Sequence, residues 1–141
     1  MAAPETVWVR ETGPKYENSV EIGAHRLTAD EPVAAGGGNR GPQPFEYVLS
    51  GLGACTSMTV RMYADRKGWK LARVSVRLDM DKVDAADGKG KIDRIVREIE
   101  LEGDLDAEQR QRLIAIAEHC PVHKFLSAEK RIETRALTSR S

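Results

Sequence analysis

No charge of one sign dominates this chain: lysine and arginine together number 22, and so do aspartate and glutamate. That balance leaves no electrostatic case for nucleic acid or for an anionic membrane as a partner. No apolar run approaches the length of a membrane-spanning helix, and the opening MAAPETVWVR has no hydrophobic signal core. A cytoplasmic, reducing setting is the expectation. With only two cysteines, Cys55 and Cys120, there is no disulfide framework to staple a fold. Thiols in a reducing compartment are more often buried, catalytic or metal-bound than structurally bridged. Repeats and low-complexity segments are also lacking. The 141 residues therefore read as a single domain, 1–141, long enough to bury a real core.

What is present is organised around one stretch, PFEYVLSGLGACTSMTVRMYADRKG, residues 44–68. At helical period Phe45, Val48, Leu52, Cys55, Thr59 and Met62 fall on one stripe, predicting a buried helix with a thiol in its middle. Pro44 suits the first helical position, Glu46 complements the dipole in the first turn, and Gly68 fits the C-terminal cap. Gly51 and Gly53 each cost roughly 1 kcal/mol against alanine inside a helix, so a close approach of another backbone is expected there.

Upstream, Thr6–Arg10, Ser19–Ile22 and Arg26–Thr28 read as short strands around turns at Gly13-Pro14 and Gly23-Ala24. Asp30 to Gln43 is irregular, and Gly36-Gly37-Gly38 is its expected flexible point, on a loop long enough to line a site. Downstream, Val74, Val76, Leu78 and Met80 alternate with polar residues. Across a turn-rich Asp84–Gly90, Ile95, Ile99 and Leu101 do the same opposite Glu98, Glu100 and Glu102, which read as a solvated face. The arms Leu71–Lys82 and Ile92–Glu102 would reach on the order of 35 Å, enough to cover a partner subunit. Asp106–Gln109 has capping-box spacing before an apolar stripe of Leu113, Ile116, Ala117 and Cys120. Pro121 interrupts that helix and opens another, and Arg131–Leu137 reads as a final strand. The order β-β-β-α-β-β-α-β predicts an antiparallel α+β domain, helices packed on curved sheet around the central helix.

The thiols differ in setting. Cys120 precedes a proline at a helix start, where a thiolate would meet free amides and the positive dipole end, with His119, His123 and Lys124 adding charge. Cys55, mid-helix and on the apolar stripe, is inert unless a cation from elsewhere faces it. Chemistry alone makes Cys120 the more acidic thiol; the plainer alternative is that both are small core hydrophobes. His119, Cys120 and His123, with Cys55 brought near, contain the ligand types of a zinc site, but the second Cys-x-x-Cys pair is missing. His123 reads most simply as a surface or cap residue. Met58, Met62 and Tyr63 read as core filling that would also suit an apolar pocket.

Gly41-Pro-Gln-Pro-Phe-Glu46, Leu52-Gly-Ala-Cys55-Thr and Cys120-Pro-Val-His-Lys124 resemble the OsmC/Ohr family, named for osmotic induction and organic hydroperoxide resistance. The resemblance runs from about Leu27 to the C-terminus. It implies an intertwined homodimer that reduces organic hydroperoxides with two cysteines and a dithiol reductant, without metal or flavin. By that resemblance Cys55 would be the peroxidatic and Cys120 the resolving cysteine, the reverse of the acidity ranking. The hydroperoxide-resistance branch carries a glutamate directly after the helix-opening proline, paired with an activating arginine. Here that position is Phe45, with Glu46 one residue later, so the chain is more similar to the OsmC-like branch. A non-catalytic small-molecule-binding dimer on the same scaffold is the alternative. Arg10, Arg26 and Arg40 are the candidates for the activating arginine.

Overall fold

The computed structural model describes residues 2–137. Strands β1 (Val7–Glu11), β2 (Asn18–Ile22) and β3 (His25–Ala29) form an antiparallel meander. After a short 3-10 turn at Val33–Ala35 come helix α1 (Pro44–Lys67) and the hairpin of β4 (Lys70–Asp84) and β5 (Lys91–Asp104). Helices α2 (Ala107–Ala117) and α3 (Pro121–Ser127) follow. The fold is antiparallel α+β, with the expected order from β1 through α2. The expected closing strand, Arg131–Leu137, is not formed within this chain: the segment pairs with no strand, and Ile132 is 88% and Leu137 76% exposed. Strands β1, β3, β4 and β5 each keep a free edge, and the segment bonds to none of them.

The segment between β3 and α1 departs from its expected flexibility. Asp30, 3% exposed, accepts from the amides of Glu31 (2.8 Å), Gly38 (3.2 Å) and Arg40 (3.1 Å), tying the three-glycine stretch to a buried carboxylate. The glycines here answer to space: a Cβ on Gly37 would lie 2.1 Å from the Glu31 carbonyl oxygen. Tyr47 closes the segment from α1 by donating its hydroxyl to the Thr28 carbonyl (2.5 Å).

Both ends of α1 follow their sequence signals. Pro44 opens it, the Gln43 amide donates to Glu46 Oε1 (2.9 Å), and Gly68 ends it in the left-handed region at φ 69°. Glu46 is thus a capping residue. The buried face is turned from the expected stripe: Leu52, Cys55, Thr56, Val60 and Ala64 are covered, while Phe45 (64%), Val48 (42%) and Met62 (53%) stay exposed. One chain supplies cover on one side only, the side that β4 and α2 occupy. Gly53 is explained by that packing, since a Cβ there would lie 2.7 Å from Leu78 Cδ1; the close neighbour is a side chain of β4, and not a backbone.

The hairpin is longer than expected, at 15 and 14 residues. Its inward face pairs Val74 with Leu101, Val76 with Ile99, Leu78 with Arg97 and Met80 with Ile95. A register shift between Leu71 and Arg73 bends it at the base. There Arg61 of α1 donates to the carbonyls of Leu71 (2.7 Å) and Ala72 (3.2 Å), and Arg110 of α2 donates to those of Leu101 and Gly103. Two guanidiniums thus bond to backbone carbonyls on either side of the bulge. The outer face carries cross-strand ion pairs, among them Arg73–Glu102 and Arg94–Asp81.

The core falls into two clusters. One joins Val60, Ala64, Leu71, Leu113 and Ala117. The other is small and holds both thiols: Leu52, Cys55 and Cys120, backed by Leu78, Ile95, Val122 and Leu126. Tyr63 belongs beside the first, edge-on to Trp69, and Met58 is 53% exposed, so neither fills the core around Cys55 as expected.

Candidate active site

Four elements meet at the thiols. Helix α1 brings Cys55 and Thr56, β5 brings Arg97, and the junction of α2 and α3 brings Glu118, Cys120 and His123. Asp106 caps α2 through the Gln109 amide (2.8 Å), fixing where that helix starts. The break at Pro121 then leaves Cys120 as the N-cap of α3, accepting on its sulfur from the His123 amide (3.3 Å). The Val122 amide donates in turn to Cys55 Sγ at 3.5 Å. One turn of backbone therefore presents one amide to each sulfur. Both cysteines are free and almost sealed, Cys55 at 3% and Cys120 at 0% exposure.

The cation at the site is Arg97, with a side chain only 10% exposed. Its Nη1 donates to Thr56 Oγ1 (3.0 Å) and reaches Cys120 Sγ at 4.0 Å, and Nη2 lies 3.0 Å from His123 Nδ1. A guanidinium can only donate, so Nδ1 of His123 accepts and the ring carries its hydrogen on Nε2. That nitrogen faces Glu118 Oε2 at 3.6 Å, and Arg97 Nη2 lies 3.8 Å from the same carboxylate. Thr56 is fully buried and already gives its hydroxyl hydrogen to the Leu52 carbonyl (2.7 Å). Its oxygen is thereby left to accept from Arg97 and, at 3.8 Å, from the Cys120 thiol.

Arg10, Arg26 and Arg40 are not among these contacts. Arg10 pairs with Glu21 and lies over the Trp8 ring, and Arg26 and Arg40 are exposed. Arg97 escapes notice because β5 alternates, yet its place is legible: in Ile95-x-Arg97-x-Ile99-x-Leu101 it occupies an inward phase of the strand. A charge at such a position needs a partner, and that is the signal that marks it. His123 is likewise more than a surface residue, since its half-buried ring holds the guanidinium. His119 is exposed and takes no part in the cluster.

Burial pushes the Cys55 thiol up from its ordinary value, with neighbouring Cys120 adding to the rise and the Val122 amide opposing it. On the outer side of Arg97 and His123 lies a cleft of about 350 Å³ that neither thiol lines, with apolar walls from Leu52, Ile95 and Leu126 and polar ones from Arg97, Glu118 and His123. Paired thiols, a guanidinium and a half-apolar cleft suit sulfur redox chemistry on a small organic molecule.

The model of the family described as OsmC-like protein matches residues 36–135, the segment that carries both cysteines, Arg97 and His123. The chain belongs to the OsmC-like family. Solved structures agree in fold. An OsmC-like protein from Mycoplasma pneumoniae superposes with a TM-score of 0.70 at 20% identity, covering 90% of this chain and 89% of that one. A Legionella pneumophila protein described as an organic hydroperoxide resistance protein OsmC gives 0.63 at 21% identity, over 89% and 91%. An organic hydroperoxide resistance protein from Elizabethkingia anophelis gives 0.61 at 20%, over 89% and 90%. No curated protein matches the chain in sequence. No helix among the described residues is long and apolar enough to cross a membrane.

Proposed function

We propose that this OsmC-like protein is a thiol-dependent peroxidase that reduces organic hydroperoxides to alcohols in oxidative-stress defence. The observation that carries the reading is the meeting of Cys55 and Cys120 in one buried cluster beside Arg97. Cys55 thiolate attacks the distal peroxide oxygen, the O–O bond breaks, and the alkoxide takes a proton and leaves as alcohol. Cys55 is left as a sulfenic acid. Cys120 then attacks that sulfur, expelling water with one proton and closing a disulfide, which a cytoplasmic dithiol reopens. The hydroperoxide's hydrocarbon part lies along Leu52, Ile95 and Leu126. The hydroperoxide-resistance descriptions of structural neighbours support the substrate class. The working unit is a homodimer, whose second copy covers the open face of α1. Cumene hydroperoxide consumption with a dithiol reductant tests the reading: Cys55→Ser is expected to abolish it, and equal slow rates in both proteins would refute it.

One observation favours a second reading, a small-molecule-binding dimer with an unactivated Cys55. The donors at Cys55 Sγ are uncharged, the Val122 amide at 3.5 Å and the Thr59 side chain, while burial raises the thiol. Rapid iodoacetamide labelling of Cys55 below pH 7 excludes this reading; slow labelling there supports it.

A further inference from the structure

The polar groups at the site are distributed unequally between its two sulfurs. Cys55 Sγ receives one amide, from Val122 at 3.5 Å. At Cys120 Sγ there are two donors, the His123 amide at 3.3 Å and Arg97 Nη1 at 4.0 Å; the Thr56 oxygen, 3.8 Å away, is an acceptor there because its hydrogen goes to the Leu52 carbonyl. Arg97 is held in that pose from its far side, where Nη2 bonds His123 Nδ1 (3.0 Å) and the ring's other nitrogen faces Glu118. In thiol–disulfide exchange the sulfur whose departing charge is better stabilised is the one that leaves.

We propose that Arg97, held by His123, makes Cys120 the leaving sulfur when the Cys55–Cys120 disulfide is reduced, so that the incoming reductant attacks Cys55. The inference rests on the two-cysteine cycle proposed above and adds the direction in which its disulfide opens. A reductant thiolate forms a bond to Cys55 Sγ, and the S–S bond breaks. Its electron pair goes to Cys120 Sγ, facing the guanidinium and the His123 amide. A second reductant thiol then displaces the first from Cys55, giving oxidised reductant and two reduced cysteines. Exposure points the same way, since Cys55 keeps the slight opening to solvent that Cys120 lacks. Arg97 touches the reacting sulfur. His123 acts through Arg97 and is a positioning residue.

The test uses the full chain, oxidised with diamide so that no peroxidase turnover is needed. Brief exposure to glutathione is stopped with acid, free thiols are capped with N-ethylmaleimide at low pH, and peptides are mapped by mass spectrometry. Glutathione is expected on Cys55 in at least about tenfold excess over Cys120, the margin a charge-assisted contact supplies. The excess should shrink towards an even split in Arg97→Gln and fall part-way in His123→Ala, while Arg97→Lys retains most of it. A purely structural role for His123 would not move this ratio. Should Arg97→Gln fail to fold, the wild-type distribution and the other two variants decide. Adduct mainly on Cys120, an even split in the wild type, or a ratio that none of the variants changes overturns the inference alone. Failure of diamide to close any Cys55–Cys120 disulfide overturns the two-cysteine cycle itself and this inference with it.

Discussion

Thr56 offers the cleanest measurement of what holds the site together. It is fully buried on α1, and its oxygen accepts from Arg97 Nη1 at 3.0 Å. Thr56→Val keeps the side chain's shape and removes the hydroxyl, so its bond to the Leu52 carbonyl and its contact with Cys120 go too, and an N–H of a nearly buried guanidinium is left against a methyl group. Hydrogen bonds to charged groups contribute about 1.5–3 kcal/mol, and a buried donor left unpaired costs its full desolvation. His123 still accepts from Nη2, so Arg97 keeps one anchor and the loss should stay near the lower end of that range. Removing the charge as well, in Arg97→Met, takes away the reason the hydroxyl matters. The double mutant should therefore recover about 1–2 kcal/mol relative to the sum of the single changes, as coupled neighbours do. Urea denaturation at one fixed protein concentration measures all four proteins, and the concentration must be fixed because association would add to apparent stability. Thr56→Ser should lie within about 1 kcal/mol of wild type, since it keeps the oxygen and loses a methyl. A coupling energy below about 0.5 kcal/mol would refute the argument, because Arg97 and Thr56 would then be neighbours without mutual dependence.

Asp30 makes an acid-sensitive anchor: the Arg40 amide, then those of Glu31 and Gly38, hold its carboxyl below the usual carboxylate range against the opposing effect of burial. A lowered folded value means stabilisation that is complete above the unfolded value and lost as pH falls through the folded one. Asp30→Asn should thus lower the thermal midpoint clearly at pH 7 and much less near pH 3; an equal drop at both would remove the role of the charge. Gly103, at φ +146° with a Cβ position 2.2 Å from the Lys70 carbonyl oxygen, should not tolerate alanine, and a loss of at least about 2 kcal/mol in urea is expected. With Phe45, Val48, Met58 and Met62 all exposed on α1, sedimentation at low micromolar concentration should show a dimer, and the thermal midpoint should rise with concentration. A folded monomer as the main species would overturn this.

Local signals in the sequence proved reliable wherever the cause was local. Pro44, Glu46 and Gly68 bound α1, Asp106 and Gln109 cap α2, and strict alternation marks β4, because in each case the residue bonds or packs within a few positions of itself. The errors lie where a distant element decides. Helical period alone placed the stripe on Phe45, Val48 and Met62, but β4 and α2 cover the face running through Leu52, Thr56 and Val60. A glycine-rich loop looked free until the buried carboxylate of Asp30, at the far side of the loop, took up its amides.

The candidate site divides in the same way. Cys55 and Cys120 stand in motifs, and a proline after Cys120 implies a helix start and hence an amide aimed at its sulfur; that much is local chemistry. Arg97 is 41 residues from Thr56 and 23 from Cys120, and only the hairpin's register brings it there. Its partner across the sheet is Leu78, an apolar residue that cannot neutralise it. An inward arginine facing leucine on a half-buried strand costs too much to be tolerated without acceptors supplied from elsewhere. Those acceptors are Thr56, His123 and Glu118, polar residues that each have an unremarkable reading alone. The pattern of cost precedes the pattern of function: a charge in the wrong phase of a strand demands a polar neighbourhood, and here that neighbourhood is built around the two thiols.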